Sequence, residues 1–396
     1  MTLREGGLDW NEQQRLIRDS ITSKVSLERT LAKRGLTYDD LRYKSGTDER
    51  AAWLKTRGFY PRPRCGNGVK LVSFFSGCGG MDLGFEAAGY ESVACIDNNT
   101  LFCNTLRLNR PKWNVIGPPT AKGDVTGHST LRKELSKTID ANFSGIFIGG
   151  PPCQPFSIAS NQRYTKGGPN FKRIGFEHDA YGNLLFDYLW FVRRFHPRAF
   201  VVENVTGLRD VDGGQQTRLA LSQMSKEGYE CSVKILNAAD YGVPQSRTRL
   251  FIVGSLDKPF IFPSPSSQRT ACMQALGQPL DGAKNHVTRA HEAETIARYQ
   301  MLDLGQREDL GRVDRLDPAL PAKTVIAGGM KGGGRSHLHP LIPRTLSVRE
   351  CARLQTFPDN FEFQGAIGRQ FTQVGNAVPP LLAYRLGLAI AAQLFT

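Results

Sequence analysis

The chain has no Cys-x-x-Cys pair, and its eight cysteines among 396 residues fall at no regular interval. That argues against a thiolate zinc site and a disulfide framework, and reduced thiols fit better. No uninterrupted apolar run of eighteen residues and no basic–apolar leader is visible. A soluble protein of the cytoplasm, with no membrane partner, is therefore expected. No internal repeat appears. Acid is scarce relative to base, with 37 Asp and Glu against 51 Lys and Arg, a net charge of +14 and a pI near 9.5. An excess of that size suits a polyanion, nucleic acid first, because neutralising phosphates dominates such binding; a merely soluble basic protein is the bland alternative. Hydrophobic residues make up 40% of the chain, enough for a sizeable core, and the length allows two or three domains.

The most informative stretch is Gly149-Gly150-Pro151-Pro152-Cys153-Gln154-Pro155-Phe156-Ser157. It follows Gly145-Ile146-Phe147-Ile148, a short apolar run that reads as a buried parallel strand. Glycine and proline then force an extended, rigid loop. Ligands of open α/β sheets bind at the carboxyl ends of strands, so Cys153 stands where a nucleophile would stand. The alternative is an inert buried thiol, the usual fate of a free cysteine.

Other stretches fit the same plan. Leu71 to Phe75 reads as a strand, followed by Gly77, Gly79 and Gly80 in a turn to a helix; the spacing is not Gly-x-Gly-x-x-Gly, since Asp82 takes the last glycine's place. Ser92 to Ile96 is a second strand ending in Asp97, and Gly123-Asp124-Val125 follows a third. Each aspartate alone could be a cap or turn residue. Together, after consecutive strands, they suggest an adenosine pocket. Asn183 to His196 patterns as an amphipathic helix, and Ala199 to Val202 as a buried strand leading to Glu203-Asn204-Val205. Glu203 is placed for acid chemistry, or else for capping a helix. Cys231 to Leu236 and Leu250 to Val253 read as an antiparallel hairpin, with Arg247 and Arg249 alternating onto one face of its second strand. Ser347 to Leu354 has the pattern of a capped helix with Glu350 at its third position, and Leu381 to Leu394 is a final apolar helix.

Two regions differ in texture. Residues 1–69 are polar and helix-like, and are expected as an extension packed on the catalytic domain; a helix-turn-helix over Leu27 to Leu41, with Gly35 in the turn, is the second reading. Residues 255–343 are rich in Pro, Gly and Ser and carry a basic glycine run from Gly328 to Arg335, suited to following a phosphate backbone or to a flexible linker. Residues 158–181, with Arg163, Lys166, Lys172 and Arg173, read as a basic functional loop or a plain surface loop.

Six stretches occur in one order: Phe74-Phe75-Ser76-Gly77-Cys78-Gly79-Gly80, Pro151-Pro152-Cys153-Gln154, Glu203-Asn204-Val205, Gln245-Ser246-Arg247-Thr248-Arg249, Arg349-Glu350-Cys351-Ala352-Arg353-Leu354 and Gly375-Asn376-Ala377-Val378-Pro379. In that order they resemble the motifs of the DNA cytosine-5 methyltransferases. The resemblance implies an α/β fold: a Rossmann-like S-adenosylmethionine-dependent methyltransferase domain with a second, smaller DNA target-recognition domain. The expected division is 1–69 as a helical N-terminal extension and 70–254 as the catalytic domain. Residues 255–343 are then the target-recognition domain, and 344–396 a segment completing the catalytic domain.

The resemblance also implies the chemistry. Cytosine C5 is a poor nucleophile; adding a thiolate to C6 makes an enamine whose C5 can take a methyl group. Cys153 is then the nucleophile, Glu203 the partner of N3, and Arg247 and Arg249 hold the base or its phosphate. The donor would be held by Phe74, Gly77, Gly79, Asp97, Asp124, Val125, Gly150, Pro152, Leu184, Asn376 and Val378, with Phe74 against the adenine. Expected DNA contacts are Gln154, Ser157, Arg163, Lys166, Lys172, Arg173, Thr324, Lys331 and Arg335. No metal is called for, and the target base must leave the duplex stack. A monomer acting on double-stranded DNA is expected, beside the bacterial nucleoid and opposite a restriction endonuclease for the same site. Methylation of tRNA, and regulation of DNA through residues 1–69, are the alternatives.

Overall fold

The computed structural model describes residues 8–45, 58–152, 184–277, 280, 282–310, 313–326 and 337–396. Its contacts divide the chain into two compact units. One comprises residues 61–238, 248–265 and 378–396; the other 1–60, 239–247 and 266–377.

The first unit is built on a seven-stranded sheet: β1 (Lys70–Phe74), β2 (Glu91–Ile96), β3 (Val115–Ile116), β4 (Ile146–Gly149), β5 (Ala199–Asn204), β6 (Glu230–Asn237) and β7 (Thr248–Ser255). Their order across the sheet is β3-β2-β1-β4-β5-β7-β6. The first five run parallel, and β7 pairs antiparallel with β5 and β6. β4 and β5 are buried along their whole length, which is why they read as unbroken apolar runs without alternation. Strand order reverses between β1 and β4, so the loops leaving those two strands diverge and open a crevice at their carboxyl ends. This is a doubly wound, Rossmann-like α/β sheet closed by an antiparallel hairpin.

Helices cover both faces. Leu184–Phe195 buries Leu184, Leu185, Tyr188, Leu189, Phe191, Val192 and Phe195, an apolar stripe at helical spacing. It stops at His196, whose φ of +46° no helix continues, followed by Pro197. Its aromatic face meets the sheet: the Phe74 ring lies 5.2 Å from Phe147, 5.3 Å from Tyr188 and 5.3 Å from Phe191. Each such ring buried contributes roughly 1.5–3 kcal/mol of transfer free energy. The last helix, Pro380–Leu394, starts on a proline pre-set for the first turn and packs on Gly80–Ala87. Tyr90 Oη donates to the Gly387 carbonyl at 2.9 Å.

The second unit has little sheet: among its described residues only isolated bridges, such as Arg315 with Leu338. Here the expected division of the chain is redrawn. Residues 8–45 are built into this unit rather than laid on the sheet. Leu16, Ile17, Leu27 and Leu31 share a core with Ile296 and Leu338. The helix-turn-helix reading fails too. After Leu27–Ala32 the chain makes a single 3-10 turn, Tyr38–Asp40, with Tyr38 and Leu41 buried, and among the described residues from Gly35 to residue 45 there is no recognition helix. Residues 344–377 also belong here, so only 378–396 returns to the sheet unit, while 255–265 stays with it. The capped helix is as expected: in Val348–Leu354, Ser347 and Glu350 form a reciprocal capping box.

By length and composition alone Ile367–Leu394 is apolar enough to cross a membrane. It is two helices, Ile367–Asn376 and Pro380–Leu394, interrupted before Pro380.

Candidate active site at the carboxyl edge of the sheet

β1 and β2 deliver the first cluster. Beyond Phe74 the chain turns through Phe75, whose φ is +54°, and Gly77 at +57°, before Gly79 at +88° starts the helix Gly80–Ala87. Asp97, just past β2, accepts the Gly77 N–H on Oδ2 at 2.9 Å and the Asn99 N–H on Oδ1 at 2.8 Å. Burial pushes its carboxyl up to about 6 in spite of those two donors. The loop after β3 closes on the same residue. At Gly123, with φ +62°, a Cβ would stand 2.1 Å from the Asp97 carbonyl oxygen, so only glycine lets the two loops touch. Asp124 follows, half-buried, its Oδ1 accepting the Thr126 N–H at 3.0 Å and hydroxyl at 2.8 Å. Val125 and Leu184 are buried. Asp97 and Asp124 thus stand on adjoining loops.

β4, β5 and β7 deliver the second cluster. Parallel register sets Gly149 beside Val202, which brings Gly150 up to Glu203: a Cβ on Gly150 would lie 3.3 Å from Glu203 Oε2. Glu203 pairs across the sheet with Phe251, so Arg249 is its diagonal neighbour on the same face. Arg249 Nε meets Glu203 Oε1 at 3.0 Å, the two side chains being 17% and 12% exposed. Asn204 Nδ2 donates to the Pro151 carbonyl at 3.2 Å, and its Oδ1 accepts the Val205 N–H at 2.8 Å. The proline-rich loop is therefore fastened two residues before Cys153. Pro152 is half-buried at the last described position of that loop. Cys153, Gln154, Ser157, Arg163, Lys166, Lys172, Arg173, Lys331 and Arg335 lie outside the described residues.

Two expectations are corrected. Phe74 is enclosed in the aromatic core, 0% exposed; Phe75, half-buried at the strand's end and packed against that core, is the more exposed ring of the two. Arg247 does not share a strand face with Arg249, because β7 begins at Thr248. Arg247 is 1% exposed, and Nη1 and Nη2 donate to the carbonyls of Val325 at 3.3 Å and Gly375 at 2.8 Å. Those two bonds brace the second unit. In that unit Thr324 donates its hydroxyl to the Ser246 carbonyl at 2.7 Å, and exposed Asn376 ends its helix. Val378 is buried in the sheet unit.

Sequence reasoning missed two further residues. Asp82 is 1% exposed, and its Oδ2 has no hydrogen-bond partner. Burial raises its pKa, which favours the neutral acid beneath the glycine turn. Its cue was the acid standing in the third glycine's place. His128 Nε2 lies 2.8 Å from Asp187 Oδ1, with the imidazole stacked on Trp190 at 4.3 Å between centroids; no local pattern announces that pair. Among the described residues no group of three His, Cys, Asp or Glu is arranged to hold a metal ion.

With this geometry in place, the comparisons agree. Residues 69–392 match the family of C-5 cytosine-specific DNA methylases. Among curated relatives, the type II methyltransferase M.PspPI of a Psychrobacter species is 34% identical over 82% of this chain and 79% of its own length. M1.HphI of Haemophilus parahaemolyticus is 33% identical over 81% and 86%. Among solved structures, an Escherichia coli prophage protein described as a DNA modification methyltransferase superposes with a TM-score of 0.62. It has 22% identity and covers 83% of this chain and all of that one. The methyltransferase EhMeth of Entamoeba histolytica gives 0.56 at 18% identity, over 82% and 98%. Those two likenesses carry the fold, and the family match carries the activity. The chain belongs to the C-5 cytosine-specific DNA methylase family and is a DNA (cytosine-5-)-methyltransferase.

Proposed function

We propose that this enzyme methylates one cytosine within a defined duplex sequence, taking the methyl group from S-adenosylmethionine, as the modification half of a type II restriction–modification pair. The observation that supports it most is the Glu203–Arg249 pair facing Gly150, with Asn204 holding the loop that leads to Cys153. The type II assignment follows the names of its relatives.

The residues present suit that donor. Each Asp97 oxygen accepts one backbone N–H and keeps a second lone pair for a ribose hydroxyl. Asp124 stands half-exposed for an adenine amine and Phe75 for its ring. When bound, S-adenosylmethionine supplies an electrophilic methyl group. Cys153 adds as thiolate to C6 of the extruded base, and the ring's negative charge is met by a proton at N3 held by Glu203. Arg249 keeps that carboxyl aimed. Once C5 is methylated, loss of its proton lets the C6–sulfur bond break and returns the thiolate. Arg163, Lys166, Lys172 and Arg173 are assigned to phosphates, and the second unit to reading bases.

A duplex carrying 5-fluorocytosine at the target tests the covalent step, because fluorine at C5 cannot depart as a proton does. With S-adenosylmethionine present, mass spectrometry should find a protein–DNA adduct for the wild type and none for Cys153→Ser. Full turnover by Cys153→Ser on ordinary DNA would remove the covalent route. Bisulfite sequencing of DNA from expressing cells identifies the site.

A further inference from the structure

Residues 1–68 lie outside the family match, yet 8–45 are locked into the second unit by more than apolar contact. Gln300, fully buried, donates to Gln13 Oε1 at 2.9 Å and to the Arg42 carbonyl at 3.0 Å. Arg315, 1% exposed, donates to Ser45 Oγ at 2.7 Å and lies 3.6 Å over the Tyr43 ring. Without these partners, polar groups of the unit would be buried unsatisfied.

One contact reaches the family's own motif. The Asp39 carboxylate meets Arg344 Nε and stands 3.5 Å from His286 Nε2. Arg344 forks onto Glu350, Nη1 to Oε2 at 2.8 Å and Nη2 to Oε1 at 2.9 Å. His286 Nδ1 lies 3.0 Å from Ser347 Oγ. Ser347 and Glu350 are the two halves of the capping box of Val348–Leu354, a helix buried at all seven positions. Asp39 therefore backs both halves. The helix runs directly into Gln355, which accepts from Gln245 Nε2 at 2.9 Å and donates to the Val374 carbonyl at 2.7 Å. Gln245 in turn accepts the Val325 N–H at 2.8 Å, beside the expected phosphate contact Thr324. Burial alone would raise the carboxyls of Asp39 and Glu350. Hydrogen bonds and the Arg344 guanidinium outweigh it and hold Glu350 down to about 2 and Asp39 well below the usual range, so both stay ionised in the working pH range.

We propose that Asp39 is a positioning residue for target recognition: through Arg344 and His286 it fixes the capping box of Val348–Leu354, making the N-terminal segment a working part of the DNA-reading unit. This rests on the reading above that the second unit reads DNA. The test is full-length Asp39→Asn, which keeps the shape and removes the charge, with Asp39→Glu as the conservative variant and Arg344→Lys alongside. For each, kcat, the KM for cognate duplex, the Kd for cognate and scrambled duplexes, and the Kd for S-adenosylmethionine are measured below the melting temperature.

Asp39→Asn should raise the cognate KM about tenfold, the scale of one charge-assisted hydrogen bond. It should also shrink cognate preference, with kcat and donor Kd within about twofold of wild type, and Asp39→Glu should recover most of the loss. If Arg344→Lys alters cognate preference and Asp39→Asn does not, the proposal falls and the reading of the unit stands. If neither alters DNA preference although Arg344→Lys lowers the melting temperature, the reading itself fails and takes the proposal with it. Equal losses in kcat, donor binding and DNA binding for Asp39→Asn would mean a purely structural role and overturn it.

Discussion

Glu203 and Arg249 meet at 3.0 Å from neighbouring antiparallel strands, on the face that Gly150 leaves open. The pairing makes the carboxyl's direction a property of the sheet rather than of a loop. Arg249→Ala should lower kcat/KM by about 10²–10³, the range seen when one preorganised partner of a reacting group is removed. Arg249→Lys should restore only part, since an ammonium lacks the planar fork. Donor affinity should be unchanged. Steady-state methyl incorporation and calorimetry on the same preparations check both statements.

Asp97 gives a pH dependence. Its folded pKa, about 6, lies above the value of 3.8 it has when unperturbed. The raised value means that the fold prefers the protonated acid. Its contribution to stability is complete below about pH 4 and is lost as pH rises through about 6. Donor binding runs the other way, because the carboxylate is the better acceptor for ribose hydroxyls. Affinity for S-adenosylmethionine should fall as pH drops through about 6, and Asp97→Asn should flatten that profile. A profile unchanged in the variant would take Asp97 out of the donor site.

Phe74 and Phe75 should separate cleanly. Phe74→Ala empties a fully buried site and should cost about 3–5 kcal/mol of stability. Phe75→Ala should leave the melting temperature within a few degrees and weaken donor binding. Thermal melts and donor calorimetry on the two variants decide it; the reverse assignment would return the donor contact to Phe74.

Asn204→Ala leaves the Pro151 carbonyl without its side-chain donor, a local loss of about 1–3 kcal/mol. Turnover should fall with donor Kd unchanged, and trapping on 5-fluorocytosine DNA should slow. Wild-type trapping kinetics would show that the loop before Cys153 needs no such fastening.

Much of the sheet unit was legible because its strands end in residues of unusual chemistry: Asp97, Glu203 and the proline loop each follow an apolar run, and the hairpin of β6 and β7 lies where its pattern predicts. The misplacements have physical causes. β1 is buried beyond its first residue, so no alternation tells Phe74 from Phe75, and the positive φ at Phe75 leaves no local trace. Arg247 was expected at the base or its phosphate, but backbone carbonyls far along the chain accept from both its terminal nitrogens. Residues 8–45 were expected on the catalytic domain rather than in the second unit because their partners lie hundreds of positions away.

That last separation governs how the protein is made. Gln14 and Gln300 are 286 positions apart, and Asp39 and Arg344 are 305 apart. Translation releases the N-terminal helices first, with Leu16, Ile17, Leu27 and Leu31 uncovered. Their partners Ile296 and Leu338 leave the ribosome some 265 residues or more later (296 − 31). At roughly 5–20 residues per second, the wait is tens of seconds. The strands of the sheet unit are all translated by residue 255, so during that interval the nascent chain carries a nearly complete sheet and a sticky, unpartnered leader. Chaperone dependence during expression, and aggregation of products truncated before about residue 345, follow from this order of emergence.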